Sequence, residues 1–155
     1  MLKRMVGGAL ALAALVAATP ATAGQLRVEG RAGLGWANGG GTKATMGAAV
    51  GYDMSVTALG TGVFAGVEQS IDKQAKDGDA RWGTSARLGV KVLALGSLYG
   101  VVGYHYGGAY ESTSAGVGYA KSLGPVFARV EYRRMLNQGV RSNGDRLLLG
   151  FGVTF

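Results

Sequence analysis

The chain contains no cysteine, which removes disulfide frameworks, thiol nucleophiles and cysteine-ligated zinc from consideration. Proline occurs only twice in 155 residues, and histidine once. No stretch beyond the first 23 residues sustains an apolar period of 3.6, and the 29 glycines argue against long helices. Those glycines follow no G-X-Y repeat, so a collagen-like rod is excluded. No G-x-x-x-x-G-K stretch exists to cradle a nucleotide phosphate. The formal charge of +7 raises nucleic acid as a partner, yet the cations form no surface stripe of the kind that binds it.

What the chain does have begins at its N-terminus. Lys3 and Arg4 precede an apolar run over residues 5–18, followed by Pro20 and the small-residue pattern Ala21-Thr22-Ala23. These three regions together read as a secretory signal peptide at 1–23, cut after Ala23. The apolar run is shorter than the ~20 residues a membrane-spanning helix needs. The remaining domain, 24–155, is a single unit, and losing Lys3 and Arg4 lowers its charge from +7 to +5. Export without cysteine fits a Gram-negative envelope better than a disulfide-stapled secreted module.

Throughout 24–155 the apolar residues recur at period two, the signature of strands with one greasy face. The clearest cases cover 25–36, 81–92, 126–133 and 147–155. In the last of these Leu147, Leu149, Phe151, Val153 and Phe155 alternate with Gly150, Gly152 and Thr154. Weaker alternation covers 44–54, 62–71, 98–106 and 113–121, which brings the total to eight strands. Polar or glycine-rich connections at 37–43, 72–80, 107–112 and 136–145 alternate with tighter ones near 93–97 and 123–125. Residues 55–60 are ambiguous and assignable in part to the third strand. Long loops at one end and short turns at the other is the pattern of an outer-membrane barrel.

Two barrels fit this alternation, and they point the greasy face in opposite directions. A soluble lipocalin-like carrier in the periplasm would line its interior with that face. A transmembrane barrel would turn it to lipid and enclose the charges. Three features favour lipid. Threaded up and down, Trp36, Trp82, Tyr104, Tyr106 and Tyr132 fall near the loop end of the greasy face, while Tyr52, Tyr119 and Phe155 fall near the turn end. Two such aromatic girdles are what membrane interfaces select. Glycine collects on the charged face, where a narrow interior needs small residues beside long ones. The terminal aromatic continues the alternation, and a closed barrel leaves it no frayed edge.

The carriers of a family resemblance are Gly51-Tyr52-Asp53, Phe64-Ala65-Gly66-Val67-Glu68, Ala128-Arg129-Val130-Glu131-Tyr132-Arg133 and the ending Gly150-Phe151-Gly152-Val153-Thr154-Phe155. In this order and spacing the chain resembles the small OmpA/OmpX-like outer-membrane β-barrels, which include the opacity-type surface proteins. The resemblance implies an all-β, eight-stranded antiparallel up-and-down transmembrane barrel. It implies that Leu149, Phe151, Val153 and Phe155 form the β-signal read by the barrel-assembly machinery. It also implies contact with outer-membrane lipids and lipopolysaccharide. Without residues beyond Phe155, the peptidoglycan-binding domain of the full OmpA type is not expected.

On parity, Glu29, Glu68 and Glu131 face inward among Arg27, Arg31, Arg81, Arg87, Lys91, Arg129, Arg133 and Arg146. Buried charges persist only when paired, so the glutamates are expected in arginine forks that fill the lumen. Arg134, Arg141 and Lys43, near the outer rim, are candidates for lipopolysaccharide phosphates. His105 invites comparison with the lipid A deacylases, barrels built around a His-x-Ser pair, but His105-Tyr106-Gly107 lacks the serine. No catalytic, cofactor-binding or metal-binding residue is therefore expected. The expected role is that of a monomeric structural or adhesin-like surface protein. The alternatives are a narrow pore gated by exchange of Arg–Glu partners and the soluble carrier.

Overall fold

The computed structural model describes residues 24–37, 41–58, 61–75, 80–92, 94–107, 111–136 and 144–155. The expected signal peptide at 1–23 lies outside the described residues, as does Arg141. Eight strands form: β1 Gly24–Ala37, β2 Lys43–Ala58, β3 Thr61–Gln74, β4 Ala80–Val92, β5 Gly96–Tyr106, β6 Ser112–Leu123, β7 Val126–Leu136 and β8 Gly144–Thr154. Each pairs antiparallel with its neighbours in sequence, and β8 pairs with β1, so the sheet closes in the order β1 to β8. No helix occurs among the described residues.

The register measures the barrel. Starting at Arg27 and stepping across the ladder, the partners are Gly51, Glu68, Ser85, Gly103, Ser114, Met135 and Gly144. Gly144 then pairs with Ala37, so one circuit climbs from residue 27 to residue 37 of β1. A climb of ten residues over eight strands tilts them by about 40° and makes the backbone cylinder about 16 Å across. At that tilt an 11-residue strand such as β7 rises about 28 Å, close to the apolar band of a membrane barrel.

Several strands run past the sequence reading, Lys43, Ser112 and Asp145 joining β2, β6 and β8, and two departures bear on the interior. Residues 55–58 continue β2, with Ser55 opposite Phe64 and Ala58 opposite Thr61, and contribute nothing to β3. Asp72, expected in a loop, belongs to β3 opposite Gly47 and Arg81. In both places polar or small residues blur the alternation, although the ladder hydrogen bonds continue. The connections keep their asymmetry: Leu123 faces Val126 across a two-residue turn with Gly124 at φ 67°, a left-handed position suited to glycine.

The alternation sorts the side chains cleanly. Arg27, Glu29, Arg31, Glu68, Arg87, Arg129, Glu131 and Arg133 are buried, whereas Val28, Leu88, Val102, Val117, Val130, Leu149 and Phe151 are exposed. Apolar residues that point inward are few. Phe64, Tyr99 and Val101 cluster near the turn end, with Phe64 and Tyr99 edge-to-face at 6.0 Å. The interior is therefore ionic and the outer surface apolar, the inverse of a water-soluble globule.

Candidate functional site

Glu68 stands at the centre of the enclosed charges. Its carboxylate lies 2.9 Å from Arg27, 3.0 Å from Arg31, 2.9 Å from Arg129 and 3.6 Å from Arg133. These partners come from β1 and β7, with Arg27 and Arg129 on the turn side of Glu68 and Arg31 and Arg133 on the loop side. Glu29 accepts from Arg27 at 2.9 Å and from Arg129. Glu131 accepts from Arg129 at 3.3 Å, from Arg133, and from the Tyr99 hydroxyl at 2.9 Å. Charges this deep require such multiple partners, because each lost partner leaves an unsolvated ion.

Two aspartates extend the web beyond the three glutamates expected from parity. Asp53 forks Arg87, with Nε–Oδ1 at 2.9 Å, and lies 3.5 Å from Arg27. Asp72 forks Arg31, with Nε–Oδ1 at 2.7 Å, and lies 3.7 Å from Arg146. The inward parity of Asp53 was visible beside Gly51. Asp72 opens the polar run 72–80, which reads as a loop, so its parity carries no signal.

Lys91 stands apart from its expected place in the carboxylate web. Its ammonium sits over the Phe64 ring at 5.3 Å, and the Arg87 guanidinium lies over Phe64 and Tyr99 at 5.4 and 5.1 Å. Arg27 likewise faces the Phe127 ring at 5.5 Å. Toward the turn end of the interior the cations thus rest on aromatic faces.

Glycine makes room for this packing. A Cβ on Gly51 would fall 2.5 Å from the Arg27 guanidinium, and one on Gly118 would fall 2.4 Å from the Tyr99 ring. The long side chains thus lie across strand positions that carry nothing.

The expected girdle residues all face outward. Tyr104 and Tyr106 stack at 6.1 Å near the loop end, where Trp36 and Trp82 also lie. Their hydroxyls reach polar groups at the rim: Tyr132 donates to Asp145 at 2.6 Å, and Tyr104 donates to Glu111. At the turn end Tyr119 donates to the Leu95 carbonyl, and Tyr52 lies beside Gly24. Gln69 and Thr84, polar residues on this outer face, satisfy one another: Thr84 donates to Gln69 at 2.7 Å, and Gln69 donates to Tyr106 at 2.9 Å. In β8 the side chains of Leu149 and Phe151 are exposed, and Phe155 exchanges two backbone hydrogen bonds with Leu26 at 2.9 and 3.1 Å. The terminal residue therefore lies on the seam where the barrel closes.

His105 points inward, and its Nε2 lies 2.9 Å from Ser114 Oγ on the adjacent strand. The serine missing from the local motif is thus supplied across the ladder. The charged groups acting on the ring are Arg133, Arg146, Arg31 and Arg81. A serine-activating histidine is oriented by a carboxylate, whereas these four groups against the ring are arginines. No group of three or more potential metal ligands occurs among the described residues. No known protein family matches the chain, and no curated protein matches it either.

Proposed function

We propose that this protein is a non-enzymatic outer-membrane barrel of the OmpA/OmpX-like kind in a Gram-negative envelope, exported behind a signal peptide at 1–23, with a structural or surface-interaction role. The observation that carries the reading is the inverted burial. Glu131 and Arg133 are each 1% exposed, whereas Leu88 is 68% and Leu149 61% exposed. In water such a surface would drive aggregation, while in lipid it is the ground state. The mutual satisfaction of Gln69, Thr84 and Tyr106 on that face fits a medium without competing water. The soluble-carrier alternative needs an apolar interior, and here the interior is occupied by arginine and carboxylate side chains.

The ion-pair web crosses the interior between β1, β3 and β7, which supports reading the ground state of the barrel as a plug. Surface interaction then falls to the long connections at one end. The pore alternative draws on one observation: four arginines share Glu68, so its partners are interchangeable.

A membrane-fraction gel run unboiled and boiled tests the main reading. The folded barrel is expected in the membrane fraction, with different mobilities in the two lanes, and silent in planar bilayers. Recovery from the soluble fraction overturns the membrane placement, and steady unitary currents favour the pore.

Deleting Phe155 is expected to reduce insertion of the barrel severalfold while leaving synthesis and export intact. The deletion removes both the seam bonds to Leu26 and the terminal aromatic of the proposed β-signal. Normal amounts of heat-modifiable protein in the membrane would remove that role.

A further inference from the structure

The enclosed charges do not balance evenly along the barrel. Toward the turn end and the middle, Glu29, Asp53, Glu68 and Glu131 each meet arginines at hydrogen-bond distance. Among the described residues the one buried carboxylate toward the loop end is Asp72, and Arg31 already holds both of its oxygens. Arg146 is buried beside it, 3.7 Å from Asp72 and beyond hydrogen-bond distance. Its cross-strand neighbour on β7 is Arg133, another cation. A buried guanidinium with five donors and one distant, shared counter-ion is an incomplete pair.

Two hydroxyls at the same level are also incomplete. Ser112 on β6 and Thr45 on β2 are 4% and 2% exposed, and neither Oγ has a hydrogen-bond partner. The tilt fixes their heights relative to Arg146. One circuit climbs ten residues, so each strand step climbs one and a quarter, and Thr45, Ser112 and Arg146 fall within about 4 Å of one level. Arg146 lies on β8, two strands from each hydroxyl in the closed order. Its guanidinium reaches across the interior toward β3, where it lies 3.7 Å from Asp72.

The geometry points to a binding site for a small oxyanion of the phosphate type in the loop-end half of the interior, held by Arg146 with the Ser112 and Thr45 hydroxyls as donors. A guanidinium presents two parallel N–H bonds to such an anion, and hydroxyls on either side donate to its remaining oxygens. The anion supplies the charge that Asp72 cannot share. The source of the phosphate is either free inorganic phosphate or the phosphate ester of a sugar headgroup. The site requires the closed barrel but not the membrane placement, so its failure leaves that placement untouched.

Titration calorimetry on the full-length barrel, folded in detergent at low ionic strength, tests the site with inorganic phosphate and glucosamine 6-phosphate as probes. Saturable binding of at least one probe at a single site is expected. Tighter binding of the inorganic ion assigns the free anion, and tighter binding of the ester assigns the headgroup. Arg146→Gln is expected to weaken binding at least tenfold, and Ser112→Ala severalfold. Lys91→Gln, at the opposite end, is expected to leave binding unchanged. Absence of saturable binding, undiminished binding in Arg146→Gln, or an equal loss in Lys91→Gln overturns the proposal. If Arg146→Gln gives no folded band on an unboiled gel, Ser112→Ala decides alone, and unchanged affinity there overturns it too.

Discussion

Glu68→Gln is expected to destabilise the barrel by about 3–5 kcal/mol, the cost of removing one partner from a buried ion pair. Glutamine is nearly isosteric, so little packing is lost and the effect isolates the charge. Four arginines lie within 3.6 Å of this carboxylate, and their side chains are each 3% exposed or less. Arg31 and Arg27 retain Asp72 and Glu29, and Arg129 and Arg133 retain Glu131. Their mutual repulsion, however, loses its central counter-charge. The measurement is the urea midpoint of the folded, heat-modifiable band in lipid vesicles. A wild-type midpoint would mean that the remaining carboxylates hold the arginines unaided. Lys91→Gln makes the comparison sharp, because that ammonium rests on the Phe64 ring outside the web. Its loss is expected to cost about 1 kcal/mol.

The sequence made the strand count, the parity of each strand and the enclosure of Arg27, Glu29, Glu68, Arg129 and Glu131 legible for one reason. A barrel wall is one residue thick, so period two reports directly on which medium each side chain meets. The partners within the web were not legible in the same way. Pairing Arg31 with Asp72 depends on how far the ladder climbs per strand, and that climb is set by the whole circuit of eight registers. Asp72 was further hidden because polar residues surround it, so β3 looked shorter than its 14 residues. His105 and Ser114 illustrate the same limit. They lie nine residues apart, on adjacent strands, and no local motif joins them.

Leu149→Arg separates lipid from water on the outer face more directly than any change within the lumen. Leu149 lies near mid-height of β8, opposite Ala32 and Val130, and its side chain meets no core. On a soluble protein, replacing an exposed leucine by arginine at such a place is close to neutral or improves solubility. In a bilayer the same guanidinium sits at the hydrocarbon midplane, and the expected cost is about 2–4 kcal/mol. The sign of the effect therefore identifies the solvent. Denaturant unfolding in vesicles should give a lower midpoint for Leu149→Arg than for wild type. The matching change at the rim, Leu136→Arg, should cost about 0–1 kcal/mol, because depth governs the penalty. Equal, negligible effects at both positions would mean that the greasy face meets water, and with that result the membrane assignment, the girdles and the terminal β-signal would all lose their basis.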